Sequence, residues 1–321
     1  MRILHRYMEV DMNERKAIIF AVRVVGLSVI NFLVWIVVSS AVSGALGISV
    51  HSEIEQSMTA VMLLMLATSF CNTAVLCYAV VRSKFSRLKL VVIVFLVYFG
   101  VNTFISQIET IYFNESLNIP GMEIFSFFLT GFITALIFSP LAVLIMGKFR
   151  RGGAQSQQPR RLPLNVGGPV GRAAIVAAVV YPVLYFGFGY FVLWQFPAAR
   201  EMYSGSTEKL PFFIHMARTI QNDPWFYPWQ VLRGILWVLL ALPVIRMSMA
   251  KWRETGVQVG LLFAVLMNAQ HLLPNPYIPL VVRMAHLLET ATSNFILGFL
   301  TVYFICRLGR KPLTSSGRSK P

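Results

Sequence analysis

Charge is what this sequence has little of: Asp, Glu, Lys and Arg make up only 13% of 321 residues, about half the share of an ordinary soluble domain. Acids are scarcest, with 13 Asp plus Glu against 28 Lys plus Arg, for a formal net charge of +15. With 56% hydrophobic residues and a mean hydropathy of +0.67, a soluble globular domain is excluded, as is intrinsic disorder, which needs low hydrophobicity. Cysteine is scarce too. Cys71, Cys77 and Cys306 fall inside or at the end of apolar stretches, so no disulfide framework outside the membrane is expected. No Gly-rich loop ending in Lys-Ser/Thr is present, which excludes ATP hydrolysis by a phosphate-binding loop, and no His-Glu-x-x-His run occurs. Lys and Arg are not gathered into a separate polar module, so no nucleic-acid partner is expected.

What is abundant is apolar sequence in runs of helix length. A membrane-spanning helix needs about 20 predominantly apolar residues, and eight such stretches occur, at 17–42, 58–81, 90–113, 124–147, 173–196, 229–245, 256–273 and 280–306. The runs are continuous, whereas barrel strands would be shorter and alternating. The fold class is therefore all-α: a polytopic integral membrane protein of about eight transmembrane helices. Its weakest span is the sixth, which Arg233 interrupts and in which Pro243 is a potential kink.

Taken alternately, the nine segments outside these stretches separate the basic residues sharply. One set holds 22 Lys and Arg, among them Arg2, Arg6, Arg82, Lys84, Lys148, Arg160, Arg246, Lys251, Arg310 and Lys320; the other holds Arg200, Lys209 and Arg218. Cytoplasmic loops are enriched in Lys and Arg, so both termini are expected on the cytoplasmic side of a plasma or bacterial inner membrane. Anionic inner-leaflet lipid is the natural counter-charge for the basic loops. Arg23, less than two turns into the first span, can snorkel to the same headgroups.

A basic segment rich in Gly, Pro and Gln, 148–172, reads as a flexible cytoplasmic linker between a first half, 1–147, and a second, 173–310. Residues 311–321 read as a disordered tail. Matches about 160 residues apart, Phe32 and Trp35 with Phe191 and Trp194, Arg82 with Arg246, Gln107 with Gln270, and Ile119-Pro120 with Ile278-Pro279, suggest two tandem four-helix halves in parallel orientation. The extracytoplasmic loop 197–228 carries a short helical pattern at 210–221, with Phe212, Phe213, Met216 and Ile220 on one side, followed by Trp225, Phe226, Tyr227 and Trp229. That pattern suits an interfacial segment held by aromatic side chains. Gly256 and Gly260, four apart, mark close helix packing at the start of the seventh span.

Polar groups inside the spans are costly and point to function or to pairing between helices. On the eighth span Arg283, His286, Glu289, Thr290, Ser293 and Asn294 share one arc of about 140° at 100° per residue, descending from the outer surface to the midplane. The third span ends with Asn102, Ser106 and Glu109 on one face, with Gln107 beside them; the seventh ends with Asn268, Gln270 and His271; the sixth begins with Gln230 and Arg233. Four helices thus place polar side chains at one depth, which predicts a polar cavity facing the extracytoplasmic side.

The leading expectation is transport or binding of a small polar, anionic solute, with Arg233 and Arg283 holding the anion, Glu109 and Glu289 titrating, and the histidines as relays. No cofactor is expected in that case, and association into a homo-oligomer is compatible with it. A second expectation is a zinc hydrolase acting on lipid or peptide at the outer leaflet, with His271, His286 and Glu289 as ligands. A third is a structural subunit whose polar groups only hold helices together.

Overall fold

The computed structural model describes residues 2–48, 57–149, 168 and 170–306, with side chains described from Glu14 onward. The expected linker 148–172 lies largely, and the tail 311–321 wholly, outside the described residues. Among those described there is no strand, only an isolated bridge between Ser83 and Ser248.

Seven helices are long and apolar enough to cross a membrane: Glu14–Leu46, Met58–Val81, Arg87–Tyr112, Gly121–Ile145, Gly171–Gln195, Phe226–Met247 and Leu280–Cys306. They coincide with seven of the eight expected stretches. The remaining one, seventh in chain order, differs: its α-helix is Trp252–Asn268, 17 residues, and continues as a 3₁₀ turn, Ala269–Leu272. At 1.5 Å per residue it is about 25 Å long, short of a bilayer core of about 30 Å. Pro274, Pro276 and Pro279 follow directly, and residues without an N–H cannot prolong a helix.

Successive helices run up and down. At one end Lys84 N–H donates to Met247 O and Arg87 N–H to Lys148 O, Lys148 Nζ donates to Ser83 O at 2.9 Å, and Arg82 pairs with Glu254 at 2.6 Å. These bonds gather the connections after the second, fourth and sixth helices into one basic end. At the other end Tyr277 donates to Glu123, Tyr112 to Asp223, and Tyr203 meets His286, gathering the third, fifth and seventh connections. This is the loop end. Arg23, on the surface of the first helix, brings its guanidinium beside Gly147 at the basic end, where snorkelling would send it.

Large apolar side chains cover the outside of the bundle: Ile18, Val22, Val37, Leu63, Val183 and Phe191 are all exposed, a surface that water would not tolerate at this extent but lipid does. Trp237, Phe138, Phe263, Leu27 and Leu76 fill the interior. In the first half the first helix packs on the second and fourth, and the third on the fourth; in the second half the fifth packs on the sixth and eighth, and the seventh on the eighth. The halves meet where the seventh helix lies on the second and third. Its contact with the eighth is close, since a Cβ on Gly298 would come within 2.7 Å of the Gly260 backbone; Gly260 thus does what its spacing from Gly256 suggested.

Two helices contain π-helical turns, Gly100–Phe104 in the third and Val176–Val180 in the fifth. Each adds a residue to a turn and redirects the side chains beyond it. The sixth helix crosses both. Gly234 lets it approach the Ala177 backbone, while Leu240 sits over Gly100. Tyr227 donates to the Ala178 carbonyl at 2.6 Å.

Candidate functional site

Arg233, the charge that interrupts the sixth span, has a side chain that is 2% exposed. Its neighbours explain how it is held. Nη2 reaches Glu109 Oε2 of the third helix at 2.5 Å, and Nη1 donates to Gln230 Oε1, one turn away, at 3.1 Å. Tyr181 OH also donates to that Gln230 oxygen, and the guanidinium lies 5.7 and 5.5 Å from the ring centres of Tyr181 and Tyr185 on the fifth helix. A planar cation with a carboxylate at its edge and aromatic faces beside it is the arrangement guanidinium favours over ammonium. Arg233 Nε and Gln230 Nε2 nevertheless have no partner, so the cluster holds N–H donors in reserve.

The eighth helix supplies the second cluster. Its polar arc turns inward as expected: Arg283, Glu289, Ser293 and Asn294 are buried, while Val281 and Leu288 are exposed. His286 Nδ1 lies 3.2 Å from Glu289 Oε2, the next turn of the same helix, and His286 Nε2 lies 2.8 Å from the hydroxyl of Tyr203. Tyr203 belongs to the short helix Pro197–Ser204, which Gly205, at φ +67°, brings to a close in a conformation that favours glycine. Thr290 donates to Asn268 Oδ1 and to the His286 carbonyl at 2.5 Å, and Asn294 approaches the Met267 sulfur at 3.4 Å.

Both clusters open onto one small cavity. Glu109, Arg233, Glu289, Thr290, Ser293 and Asn294 line it on the polar side, with Tyr181, Leu184, Tyr185, Met267 and Leu297 completing the wall; its volume is about 20 Å³, room for a water molecule. The fifth helix, through Tyr181 and Tyr185, is a wall that the sequence reading did not include. Nor did that reading include Tyr203. A tyrosine pair four residues apart in an apolar span carries no signal of its own, and nothing in the sequence connects Tyr203 with a histidine 83 residues later.

The remaining expected site residues divide. His271 stacks on His286 at 5.7 Å between ring centres and 12° between planes, beside the cavity but not in its wall. Arg283 donates to the Leu273 carbonyl instead of to a carboxylate, fastening the loop that follows the seventh helix. Asn102 accepts from Asn72 at 3.2 Å; Gln107 is buried with Oε1 unpartnered; Gln270 donates to Ser106 at 2.8 Å. Asn102 and Gln270 belong to a separate polar band that runs between the second, third and seventh helices. It continues into the first, where Asn31 donates to Thr73 and accepts from Tyr98 at 3.0 Å.

For zinc, the geometry is unhelpful. A ligand His needs one ring nitrogen free for the metal, and both nitrogens of His286 are engaged, by Glu289 and Tyr203. Among the described residues, no group of three or more His, Cys, Asp and Glu side chains is placed to hold a metal ion.

The bundle, with its apolar exterior and charged interior, defines a multi-pass helical membrane protein. No family model, curated protein or solved structure matches the chain.

Proposed function

We propose that this chain crosses the plasma or bacterial inner membrane eight times, with both termini cytoplasmic, and binds and moves a small anionic solute through the polar core between its third, fifth, sixth, seventh and eighth helices. The observation that carries the reading is the convergence of Glu109, Arg233 and Glu289, from three different helices, on one water-sized cavity inside an apolar bundle. Holding helices together would not require two carboxylates and a guanidinium at the same void. The unpartnered Nε of Arg233 and Nε2 of Gln230 favour a solute that brings acceptor oxygens, since a buried donor without a partner costs about 1–3 kcal/mol. At about 20 Å³ the cavity admits such a solute only when the helices part, as in alternating access about a central site. The neighbour pattern of the two four-helix halves suits motion of one half against the other.

The basic loops, at one end of the bundle, would rest on anionic lipid. The test uses purified protein in vesicles under an inward-acid pH gradient, challenged with labelled acetate, succinate, glutamate and inorganic phosphate. At least one should accumulate above protein-free vesicles, and Arg233→Gln and Glu289→Gln should each lower that uptake by roughly tenfold or more. Equal uptake by wild type and both variants would remove the assignment of the site, and no uptake of any of the four would remove the transport reading.

A further inference from the structure

Three side chains connect the cavity with the loop end of the bundle, the innermost buried and the outer two partly exposed. Glu289, in the cavity wall, is 4% exposed; His286, next outward, is 18% exposed; Tyr203, on the short helix Pro197–Ser204, is half-buried. The two links are hydrogen bonds, Tyr203 OH to His286 Nε2 at 2.8 Å and His286 Nδ1 to Glu289 Oε2 at 3.2 Å. One tautomer satisfies both. With hydrogen on Nδ1, His286 donates to the carboxylate and its Nε2 lone pair accepts from the tyrosine hydroxyl. The bonds also fix the ring, so the imidazole cannot turn its nitrogens elsewhere while both partners remain.

We propose that Tyr203, His286 and Glu289 form a proton relay, and that a proton is the coupling ion of this protein, entering from the loop end. This rests on the transport reading for its purpose but not for its geometry. In the transfer, water at the loop end gives a proton to the Tyr203 oxygen as the Tyr203 hydroxyl proton passes to His286 Nε2, and the Nδ1 proton passes to Glu289 Oε2. Water has lost one proton, Glu289 has gained one, and His286 and Tyr203 end with the same charge as before. His286 is left as its other tautomer and must turn over before the next transfer. That turnover requires Tyr203 to let go, and Tyr203 sits on an eight-residue helix that packs through Ala199 with Leu193, Val282 and Ala285, in a cluster separate from the main core. The relay is thereby tied to movement of that helix.

The groups facing the relay bear on its charge. Across the cavity from Glu289 lie Glu109 and Arg233, already paired with each other, with Tyr181 and Tyr185 in the same wall. His271 stacks on the far face of His286, and Arg283 is fastened one turn outward. A carboxylate facing one balanced ion pair is the titrating member of the set, and neutralising it changes the cavity from net negative to neutral. An anionic solute enters a neutral cavity more readily.

The relay can be read without knowing the solute. Full-length protein in lipid nanodiscs is subjected to a rapid drop in pH, and the carbonyl stretch of a protonated carboxyl is followed by infrared difference spectroscopy. The band belonging to Glu289 is the one absent from Glu289→Gln. Tyr203→Phe keeps the ring, which packs against Phe113, and removes only the hydroxyl. It should slow the rise of that band by roughly a hundredfold while leaving its final size unchanged, the scale typical of losing a positioned proton donor. His286→Gln should slow it at least as much. A band that rises in Tyr203→Phe at the wild-type rate, even if the variant melts at a lower temperature, would show a clamp and overturn the relay; so would a wild-type spectrum from which Glu289→Gln removes nothing. Slowed protonation in a protein that takes up none of the four anions would support the relay and leave the transport reading alone to fail.

Discussion

At the scale of single residues, Arg233 and Glu109 decide whether the polar core is an asset or a cost to the fold. The guanidinium is buried to 2% exposure, while its partner carboxylate retains 23%, so most of the desolvation falls on the arginine. Removing one member of a buried pair is worse than removing both, because the charge left behind has no compensation. Glu109→Gln should therefore lower stability by about 2–4 kcal/mol, discounted for the exposure of the carboxylate. The double variant Glu109→Leu with Arg233→Leu should recover most of that loss. Unfolding of the purified variants in mixed micelles would measure both, and a double variant less stable than Glu109→Gln would show that the pair is a net source of stability. The charged members of this site were legible in sequence because charge inside an apolar run is conspicuous. Tyr181, Tyr185 and Tyr203 were not, because a tyrosine in such a run is ordinary, and its importance comes only from the partner that folding brings to its hydroxyl.

At the scale of elements, periodicity and loop chemistry carried the reading where a helix is long and its neighbours interchangeable. The seventh helix shows where that fails: the apolar run extends to Leu273, but the α-helix stops at Asn268, whose side chain bonds back to Ala264 O at 2.7 Å just as the 3₁₀ turn begins. The π-helical turns were also beyond sequence, since no residue pattern in either span marks them; the sixth helix crosses both. In the long connection at the loop end, the expected helical pattern at 210–221 appears as Phe212–Asn222. Its apolar residues divide, however. Phe212 and His215 turn inward against Tyr190 and Trp194, while Phe213, Ile214 and Ile220 remain exposed and suit an interfacial position. Burial against Trp194, 4.6 Å away between ring centres, lowers the His215 pKa from its ordinary 6.5. A histidine whose folded pKa is depressed contributes full stability above 6.5 and loses it as pH falls below that value, because the unfolded segment takes up the proton more readily. Amide exchange in this helix should accelerate between neutral pH and pH 5, after correction for intrinsic rates. In His215→Phe it should not, and an unchanged acceleration in that variant would assign the effect to another group.

At the scale of the whole molecule, the distribution of positive charge and the architecture support one alternating arrangement by independent routes. The charge argument counts Lys and Arg in alternating loops, whereas the structural one uses hydrogen bonds that gather even-numbered connections at one end and odd-numbered ones at the other. Seven helices meet the length and hydropathy of a span, and the shorter seventh still runs from Glu254, paired with Arg82 at the basic end, to Asn268 beside the cavity. Were it a re-entrant segment, the eighth helix would have to begin at the basic end. Yet the eighth helix begins next to Leu273 and Tyr203, at the loop end. That geometry is consistent with the eight crossings proposed above, and a cysteine pair tests them. Ser204 is exposed at the close of the short helix, and Ser156 lies in the basic linker, outside the described residues. In the naturally thiol-poor chain, Ser204→Cys should react with an impermeant maleimide on intact cells, and Ser156→Cys only after the membrane is opened. Labelling of both from outside, or of Ser156→Cys alone, would invert or break the proposed arrangement. Labelling of Ser156→Cys alone would also place the entrance to the Tyr203 relay on the cytoplasmic side, so this measurement fixes the direction from which protons arrive as well as the fold's orientation.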